Sequence, residues 1–275
     1  MTKDRIAPPL GRQALKGLVL VLLTACSLGV SDQQWKLADS YLQQGQHLRA
    51  VEEYSRIVNL EQKGPMAVKA QEQIALIYEQ QLKDYPRAIR ALRDVYRRAD
   101  DAPAKLKARI QIAKLYSDRM GDYMAATEEY EVIFKEFGDQ MTDGPDLYIA
   151  WAEALMEASR FDDAATRLSQ FQTKFPGHKE GPKALFLLAQ ANLAGRNYDV
   201  AIETFREIIR KFTGIEGYDS MVAESYYGLG MAFESIDDLA QALEAFRASL
   251  VTYPNPKVVE LKIDRLLKRK KERRL

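Results

Sequence analysis

The sequence predicts an all-α protein made of about six helix pairs and one final helix. Three observations predict this fold class. From Gln34 onward, apolar residues recur three and four positions apart, as on one face of a helix. Gly, Asn and Asp mark turns between these segments. One pattern of small and large residues occurs six times in a chain of 275 residues, of which 47% are apolar, enough for a packed core.

Residues 1–25 predict a bacterial lipoprotein signal peptide. This leader carries a net positive charge, and its apolar run is far shorter than the roughly 20 residues of a membrane-spanning helix. At its end, Leu23, Thr24, Ala25 and Cys26 resemble the lipobox of bacterial lipoproteins, and Cys26 is the only cysteine of the chain. The alternative is a buried first helix in which Cys26 is a small apolar residue.

The resemblance to lipoproteins implies the form of the processed protein. Cleavage before Cys26 leaves this residue first in the chain, acylated on its sulfur and its amino group. Ser27 in place of Asp implies sorting to the outer membrane of a Gram-negative cell. Residues 26–33 then form an acylated tether, in which the seven residues from Ser27 to Gln33 reach at most roughly 25 Å. We therefore expect a periplasm-facing lipoprotein whose folded body stays close to the membrane.

The repeated pattern occupies residues 34–256. It consists of a small residue, an aromatic or apolar residue three positions later, an Ala twelve or thirteen positions after the small residue, and a large residue four positions further. The copies are Ala38, Tyr41, Ala50, Tyr54; Ala75, Tyr78, Ala88, Leu92; Ala113, Tyr116, Ala126, Tyr130; Ala152, Leu155, Ala164, Leu168; Ala189, Asn192, Ala201, Phe205; and Gly230, Phe233, Ala242, Phe246. Small residues allow close approach of two helices, so each copy predicts a helical hairpin.

At these residues the chain resembles the tetratricopeptide repeat family, which implies a right-handed superhelix of antiparallel helix pairs. An unrelated helical bundle is the alternative. Repeats two and three carry one extra residue, which we expect in the turn inside the pair, and Asn192 replaces the usual aromatic residue. The region around 213–221 predicts a loop. Residues 257–275 predict a capping helix. Its apolar stripe is Val258, Val259, Ile263, Leu266 and Leu267.

The family pattern implies that the first helix of each pair lines a groove, with side chains three before, one after and four after the small residue. In repeats one to three these are Trp35, Asp39, Leu42; Glu72, Leu76, Glu79; and Ile110, Lys114, Ser117. In repeats four to six they are Ile149, Glu153, Met156; Phe186, Gln190, Leu193; and Tyr227, Met231, Glu234. We expect the apolar members Ile149, Met156, Phe186, Leu193, Tyr227 and Met231 to accept an apolar or amphipathic segment of a partner protein. Alternatively, several of them pack against neighbouring helices.

Charge is distributed unevenly along the chain. The totals are 40 basic and 39 acidic residues, but both ends are basic and the segment between them is acidic. The basic tail consists of Lys268, Arg269, Lys270, Lys271, Arg273 and Arg274. It is either a solvated helix end stabilised by the helix dipole, or a surface for anionic lipid or an acidic partner. The export signal and the acidic body disfavour binding to nucleic acid.

The residue types of catalysis and metal binding are scarce. The chain has one Cys and two His, and neither His has a second ligand at metal-binding spacing. We expect His47 to pack in a hairpin turn and His178 to lie in a loop. Gly228 and Gly230 lack the third glycine of a dinucleotide-binding loop. Asp pairs such as Asp162-Asp163 and Asp237-Asp238 suit helix N-termini. We predict no enzyme activity, no cofactor, no metal and no small-molecule substrate.

The predicted function is therefore that of a membrane-anchored scaffold for proteins of envelope biogenesis. The long repeats resemble those of tetratricopeptide lipoproteins that assist outer-membrane protein assembly. Two alternatives remain within this class: a pilotin for secretin or type IV pilus assembly, and a coordinator of cell-wall synthesis and division. A purely structural subunit, with no recognition of a free segment by groove or tail, is the alternative outside it.

Overall fold

The computed structural model describes residues 31–61, 64–138 and 144–272. Throughout these ranges the chain forms helices joined by short turns, with no strand, which confirms the predicted all-α class. No helix in these ranges is long and apolar enough to cross a membrane. Outside them lie the signal and lipidation residues Leu23, Thr24, Ala25 and Cys26, and the tail residues Arg273 and Arg274.

The chain divides between Met120 and Gly121 into two compact units, a boundary that the sequence does not indicate and that falls inside the third predicted helix pair. The first unit contains α1 (31–43), α2 (His47–Leu60), α3 (Pro65–Leu76), α4 (Tyr85–Arg98) and α5 (Ala102–Lys114). The second contains α6 (Tyr123–Phe137), α7 (Gly144–Glu157), α8 (Phe161–Lys174), α9 (Gly181–Ala194), α10 (Tyr198–Phe212), α11 (Asp219–Ser235), α12 (Leu239–Ser249) and α13 (Pro256–Glu272).

The extra residue of repeats two and three lies in a helix and not in the turn, which corrects the expectation from sequence. A π-helical turn, Ile77–Gln81, continues directly from α3, and a second one, Leu115–Met120, continues from α5. In the first, the amide of Leu82 donates to the carbonyl of Ile77 at 3.0 Å, five residues back. A π-helical turn absorbs one added residue while the helix continues.

The residues of the repeated pattern are largely buried. Its small residue and its Ala are buried in all six copies. The large residue four positions after the Ala is also buried at 2% exposure or less: Tyr54, Leu92, Tyr130, Leu168, Phe205 and Phe246. Within each unit, close approach at the small residues and filling by the large ones therefore stabilise the helix pairs, as the motif predicts.

Acidic residues begin several of the second helices. The Asp238 carboxylate accepts a hydrogen bond of 3.1 Å from the Gln241 amide at the start of α12, and Asp84 and Asp122 cap α4 and α6 in the same way. These contacts satisfy amide groups that a helix leaves unpaired in its first turn. The predicted role of Asp238 at a helix N-terminus is confirmed.

The final helix packs as the sequence predicts, with two exceptions. Val259, Ile263 and Leu266 are buried in the apolar core that α9 to α13 share, whereas Val258 and Leu267 remain 40% and 41% exposed. The apolar contact surface of α13 is thus narrower than the stripe in its sequence. The predicted loop before repeat six spans residues 213–218.

Candidate functional site

The predicted groove residues of the second unit lie on the first helices α7, α9 and α11. Ile149, however, is only 5% exposed and belongs to the interior of α7. Its side chain is not available to an external segment, so the packing alternative holds at this position. The other five residues, Met156, Phe186, Leu193, Tyr227 and Met231, are half-buried and keep part of their surface accessible.

Both groove aromatics also contact the core. The ring of Phe186 meets that of Phe205 edge to face, with centroids 6.4 Å apart. Tyr227 contacts Phe246 at 5.3 Å and Tyr253 at 4.9 Å. Burial is the main cause that raises the pKa of Tyr253 above its usual value, and the neighbouring Tyr227 adds to it. These aromatic side chains therefore stabilise the unit and present one edge at its surface.

The aliphatic groove residues differ in how much they support the core. Leu193 and Met231 pack against the same apolar cluster as Phe186. Met156 is half-buried but is not part of that cluster within the described residues. Met156 lies next to Glu157, the last residue of α7, so a substitution there probes the groove at a helix end.

Acidic groove residues form ion pairs with lysines on the next first helix. Glu153 of α7 lies 2.7 Å from Lys183 of α9, and Glu234 of α11 lies 2.9 Å from Lys262 of α13. In the first unit, Glu72 of α3 lies 3.1 Å from Lys107 of α5. Sequence reasoning missed these lysines. The available signal was a Lys about one repeat downstream of each groove Glu.

In the first unit, some of the predicted groove residues pack inside the hairpin and others line a cavity. The Trp35 ring lies edge to face on Tyr54, with centroids 5.0 Å apart. The Tyr54 hydroxyl donates a hydrogen bond of 2.5 Å to Asp39. Burial raises the pKa of Tyr54 well above its usual range, and the hydrogen bond to Asp39 raises it further. Trp35 and Asp39 are thus parts of the hairpin core.

The groove positions of repeat two line a small cavity. Glu72, Leu76 and Glu79 border it from the first helix, and its volume is about 140 Å³. Lys107 and Gln111 of α5 close the other side. This space is too small for more than one side chain of a partner.

The basic tail is partly engaged in the fold. Arg269 donates to Asp237 at 2.6 Å and thereby connects α13 to the turn before α12. Lys268 and Lys271 are exposed, and Lys270 is half-buried. The helix-end interpretation fits Arg269, while Lys268 and Lys271 remain available to an anionic surface.

The two histidines lie in different repeats. His47 is the first residue of α2. The His178 ring lies edge to face on Phe171 at 5.8 Å, and its Nδ1 accepts a hydrogen bond from the Glu180 amide at 3.3 Å. In the described ranges, no group of three or more His, Cys, Asp and Glu is placed to hold a metal ion.

A second concave feature lies on the side of the second helices. It is a cleft of about 640 Å³ between α8 and α10, with Leu188 and Asn192 of α9 at its floor. Its one signal in the sequence is Asn192 in place of the usual aromatic residue.

Comparisons with known proteins agree with the paired-helix architecture. A profile of the tetratricopeptide repeat matches residues 36–103 and 149–214, and a second profile of the same repeat matches residues 224–256. Together these ranges span more than half of the chain, and neither profile represents a catalytic family. No curated protein matches the chain.

Several solved structures share the fold. A chain of the Naa15/Naa10 complex bound to HypK-THB has a TM-score of 0.64 at 14% identity, with 94% of this chain and 36% of that chain covered. YrrB, a tetratricopeptide protein with an unusual peptide-binding site, has a TM-score of 0.52 at 14% identity, covering 80% and 99%. A putative kinesin light chain of Podosopora anserina, with TPR-like repeats, has a TM-score of 0.52 at 18% identity, covering 72% and 96%. At these identities the likeness concerns the fold alone.

Proposed function

Because the chain belongs to the tetratricopeptide repeat family, we propose that it is a non-enzymatic scaffold that binds partner proteins at the outer membrane. Proteins of this family bind protein partners, and the fold relative YrrB has a peptide-binding site. The observation that carries the proposal is the row of half-buried apolar side chains on α7, α9 and α11: Met156, Phe186, Leu193, Tyr227 and Met231.

This row has the properties of a binding surface for an apolar or amphipathic segment. Met156 and Met231 are flexible and polarizable, so they adapt to different apolar partners. Phe186 and Tyr227 are held by their contacts with core aromatics, so little side-chain entropy remains to be lost on binding. The Glu153–Lys183 ion pair adds charged groups beside the apolar row. An amphipathic partner would bury its apolar face and keep its polar face toward these charges.

Attachment to the membrane is the second part of the proposal. It rests on the lipobox-like residues Leu23, Thr24 and Ala25 before Cys26, and on Ser27 after it. Each buried methylene of an acyl chain contributes about 0.8 kcal/mol, so several chains on Cys26 give a stable anchor. Because α1 begins at residue 31, the tether is shorter than the expected 26–33, and residues 26–30 would keep the folded chain near the periplasmic face of the outer membrane.

Within envelope biogenesis we propose the role of an accessory in outer-membrane protein assembly. The support is the resemblance of the long repeats and the acyl signal to lipoproteins of that kind. Pilotin function in secretin or pilus assembly, and coordination of wall synthesis with division, would place the same groove at a different partner. The identity of the protein that contacts Met156 distinguishes these roles.

The test is site-specific photo-crosslinking of the lipidated protein in its own cells. A photoreactive amino acid replaces Met156 in the groove, and the matched control replaces Glu203, whose side chain is 75% exposed on α10. We expect a defined adduct with an envelope protein at position 156 and none at position 203, with mass spectrometry identifying the partner. Equal adducts at both positions, or none at position 156, would contradict groove binding.

A further inference from the structure

The cleft between α8 and α10 lies on the second helices, apart from the first-helix groove. Its walls are formed by small and apolar side chains, among them Ala165, Ser169 and Thr173 of α8 and Val200 of α10. Its floor is formed by Leu188 and Asn192 of α9. The volume of about 640 Å³ is of the size that accommodates a short peptide segment.

The cleft exists because one repeat departs from the pattern. At the position of Asn192 the other repeats carry Tyr, Leu or Phe. In the next repeat Phe233 occupies this position, and the Arg206 guanidinium lies 5.5 Å from the centre of its ring. Asn192 is much smaller than Phe233, and the facing Ala165 is also small. The gap between the two second helices is therefore open in repeat five.

Asn192 places an unpaired polar atom at the floor. The residue is 5% exposed, so the side chain is almost fully buried. Its Nδ2 donates a hydrogen bond of 2.8 Å to the Leu188 carbonyl. Among the described residues, its Oδ1 has no hydrogen-bond partner. The buried polar atoms without a partner do not include this oxygen, so it is accessible from the cleft, where a ligand can donate a hydrogen bond to it in place of water.

The walls also carry polar side chains, among them Ser169, Gln170 and Asn197. The hydroxyls of Thr166 and Thr173 donate to carbonyls of their own helix, at 2.9 and 3.0 Å, so neither has a proton left for a ligand. At the floor, the Asn192 amide has one acceptor and one remaining donor. That pair is complementary to a backbone peptide group, which also has one donor and one acceptor.

The two ends of α8 carry opposite charges. Asp162 lies at one end of the cleft, where it accepts a hydrogen bond of 2.9 Å from Asn197, and Lys174 lies at the other end. The twelve residue steps between them rise roughly 18 Å along the helix. An extended segment of five or six residues spans about this distance. In such a segment, a basic residue near Asp162 and an acidic residue near Lys174 would give complementary charges at both ends.

We propose that this cleft binds an extended peptide segment of a partner protein through the side-chain amide of Asn192. The segment carries small or apolar side chains against Ala165, Leu188 and Val200, a basic residue toward Asp162 and an acidic residue toward Lys174. One of its backbone peptide groups pairs with Asn192. The cleft is separate from the groove around Met156. The crosslinking experiment tests the groove, and the peptide-binding experiment tests the cleft.

The experiment uses the full chain, immobilised, and a displayed library of random nine-residue peptides. Enriched peptides are synthesised with a fluorophore, and their binding to the wild type is measured by fluorescence anisotropy. Asn192→Tyr restores the usual aromatic residue and fills the floor, and we expect it to weaken binding at least tenfold. Glu203→Gln, at an exposed position of α10 outside the cleft lining, is the matched control and should leave the affinity unchanged.

Two further measurements keep the test decisive. Ala165→Phe blocks the cleft from the opposite wall and leaves Asn192 in place, so it substitutes for Asn192→Tyr if that variant unfolds by circular dichroism. N-methylation of one backbone amide of the peptide should abolish binding at a single position, which reports pairing with Asn192. The proposal is overturned if no peptide is enriched, because the cleft then holds only water. It is also overturned if enriched peptides bind the wild type and both cleft variants equally.

Discussion

The ring of Phe205 lies against the backbone of Gly228, so closely that a Cβ at position 228 would stand 2.3 Å from the Cζ atom of the ring. Gly230 meets Phe246 in the same way, at 2.8 Å from its ring atoms. Both glycines are inside α11, where Gly is otherwise unfavourable relative to Ala. The Gly228-Leu229-Gly230 sequence therefore serves helix packing: α11 approaches α10 and α12 through two aromatic rings.

Gly228→Ala should destabilise the second unit. Overpacking of a filled core costs about 1–3 kcal/mol, and the contact of 2.3 Å with an almost fully buried ring places this substitution toward the upper end. The gain in helix propensity, about 1 kcal/mol, offsets only part of it. We expect a lower thermal unfolding midpoint by circular dichroism.

The matched control is Gly181→Ala at the start of α9. A Cβ added there meets no atom of the described residues within 4 Å, so the midpoint should change little. A Gly228→Ala variant as stable as Gly181→Ala would show that Phe205 moves aside without cost, contrary to this expectation.

The Tyr54–Asp39 hydrogen bond predicts a pH dependence of the first unit. The usual pKa of Tyr is 10.0, and in the folded state burial and Asp39 raise it. The folded state therefore holds this proton more tightly than the unfolded state does. Its contribution to the free energy of unfolding is complete below pH 10 and is lost as the pH rises through the folded-state pKa.

Tyr54→Phe separates this effect from general alkaline denaturation. At pH 7 the variant should be less stable by about 1–3 kcal/mol, because a hydrogen bond to a charged group is lost. The difference should shrink above pH 10, as measured by urea unfolding at several pH values. Asp39→Asn should retain part of the pH dependence, since burial is the larger cause. A constant difference between wild type and Tyr54→Phe at pH 7 and pH 11 would contradict the prediction.

The inter-helix ion pairs should differ in strength according to their exposure. The side chains of Lys262 and Glu234 are 24% and 25% exposed, whereas those of Lys183 and Glu153 are 51% and 44% exposed. Exposed pairs contribute about 0.2–1 kcal/mol because water and salt screen them. We expect Lys262→Gln to lower the unfolding midpoint more than Lys183→Gln does, and the effect of Lys183→Gln to vanish in 1 M salt. If both variants lowered the unfolding midpoint equally, burial would not determine the strength of these ion pairs.

Most of the paired-helix fold follows from the sequence because the constraint repeats. A small residue such as Ala38 or Ala189 has one role in every hairpin, and six copies define it. Features that occur only once or twice cannot be predicted from the sequence in this way. A single added residue can enter a turn or a π-helical turn, and the pattern alone does not distinguish them. Ile149 follows the groove pattern but lies in the interior, because local packing of α7 determines its exposure. The Asn192 cleft depends on how far α8 and α10 stand apart, which only three-dimensional packing defines.

Membrane attachment is testable at a single atom, the sulfur of Cys26. Cys26→Ala removes the acylation site, and we expect the variant to appear in the soluble fraction after cell lysis and carbonate washing. Ser27→Asp is the matched control: it keeps the acylated cysteine, so the protein should stay with membranes but move to the inner-membrane fraction of a sucrose gradient. The apolar run 18–23 is far shorter than the roughly 20 residues that a spanning helix needs, so it should not hold the Cys26→Ala variant. Continued membrane association of that variant would mean that the leader or the folded body binds the membrane directly, and the acyl anchor would then be wrong.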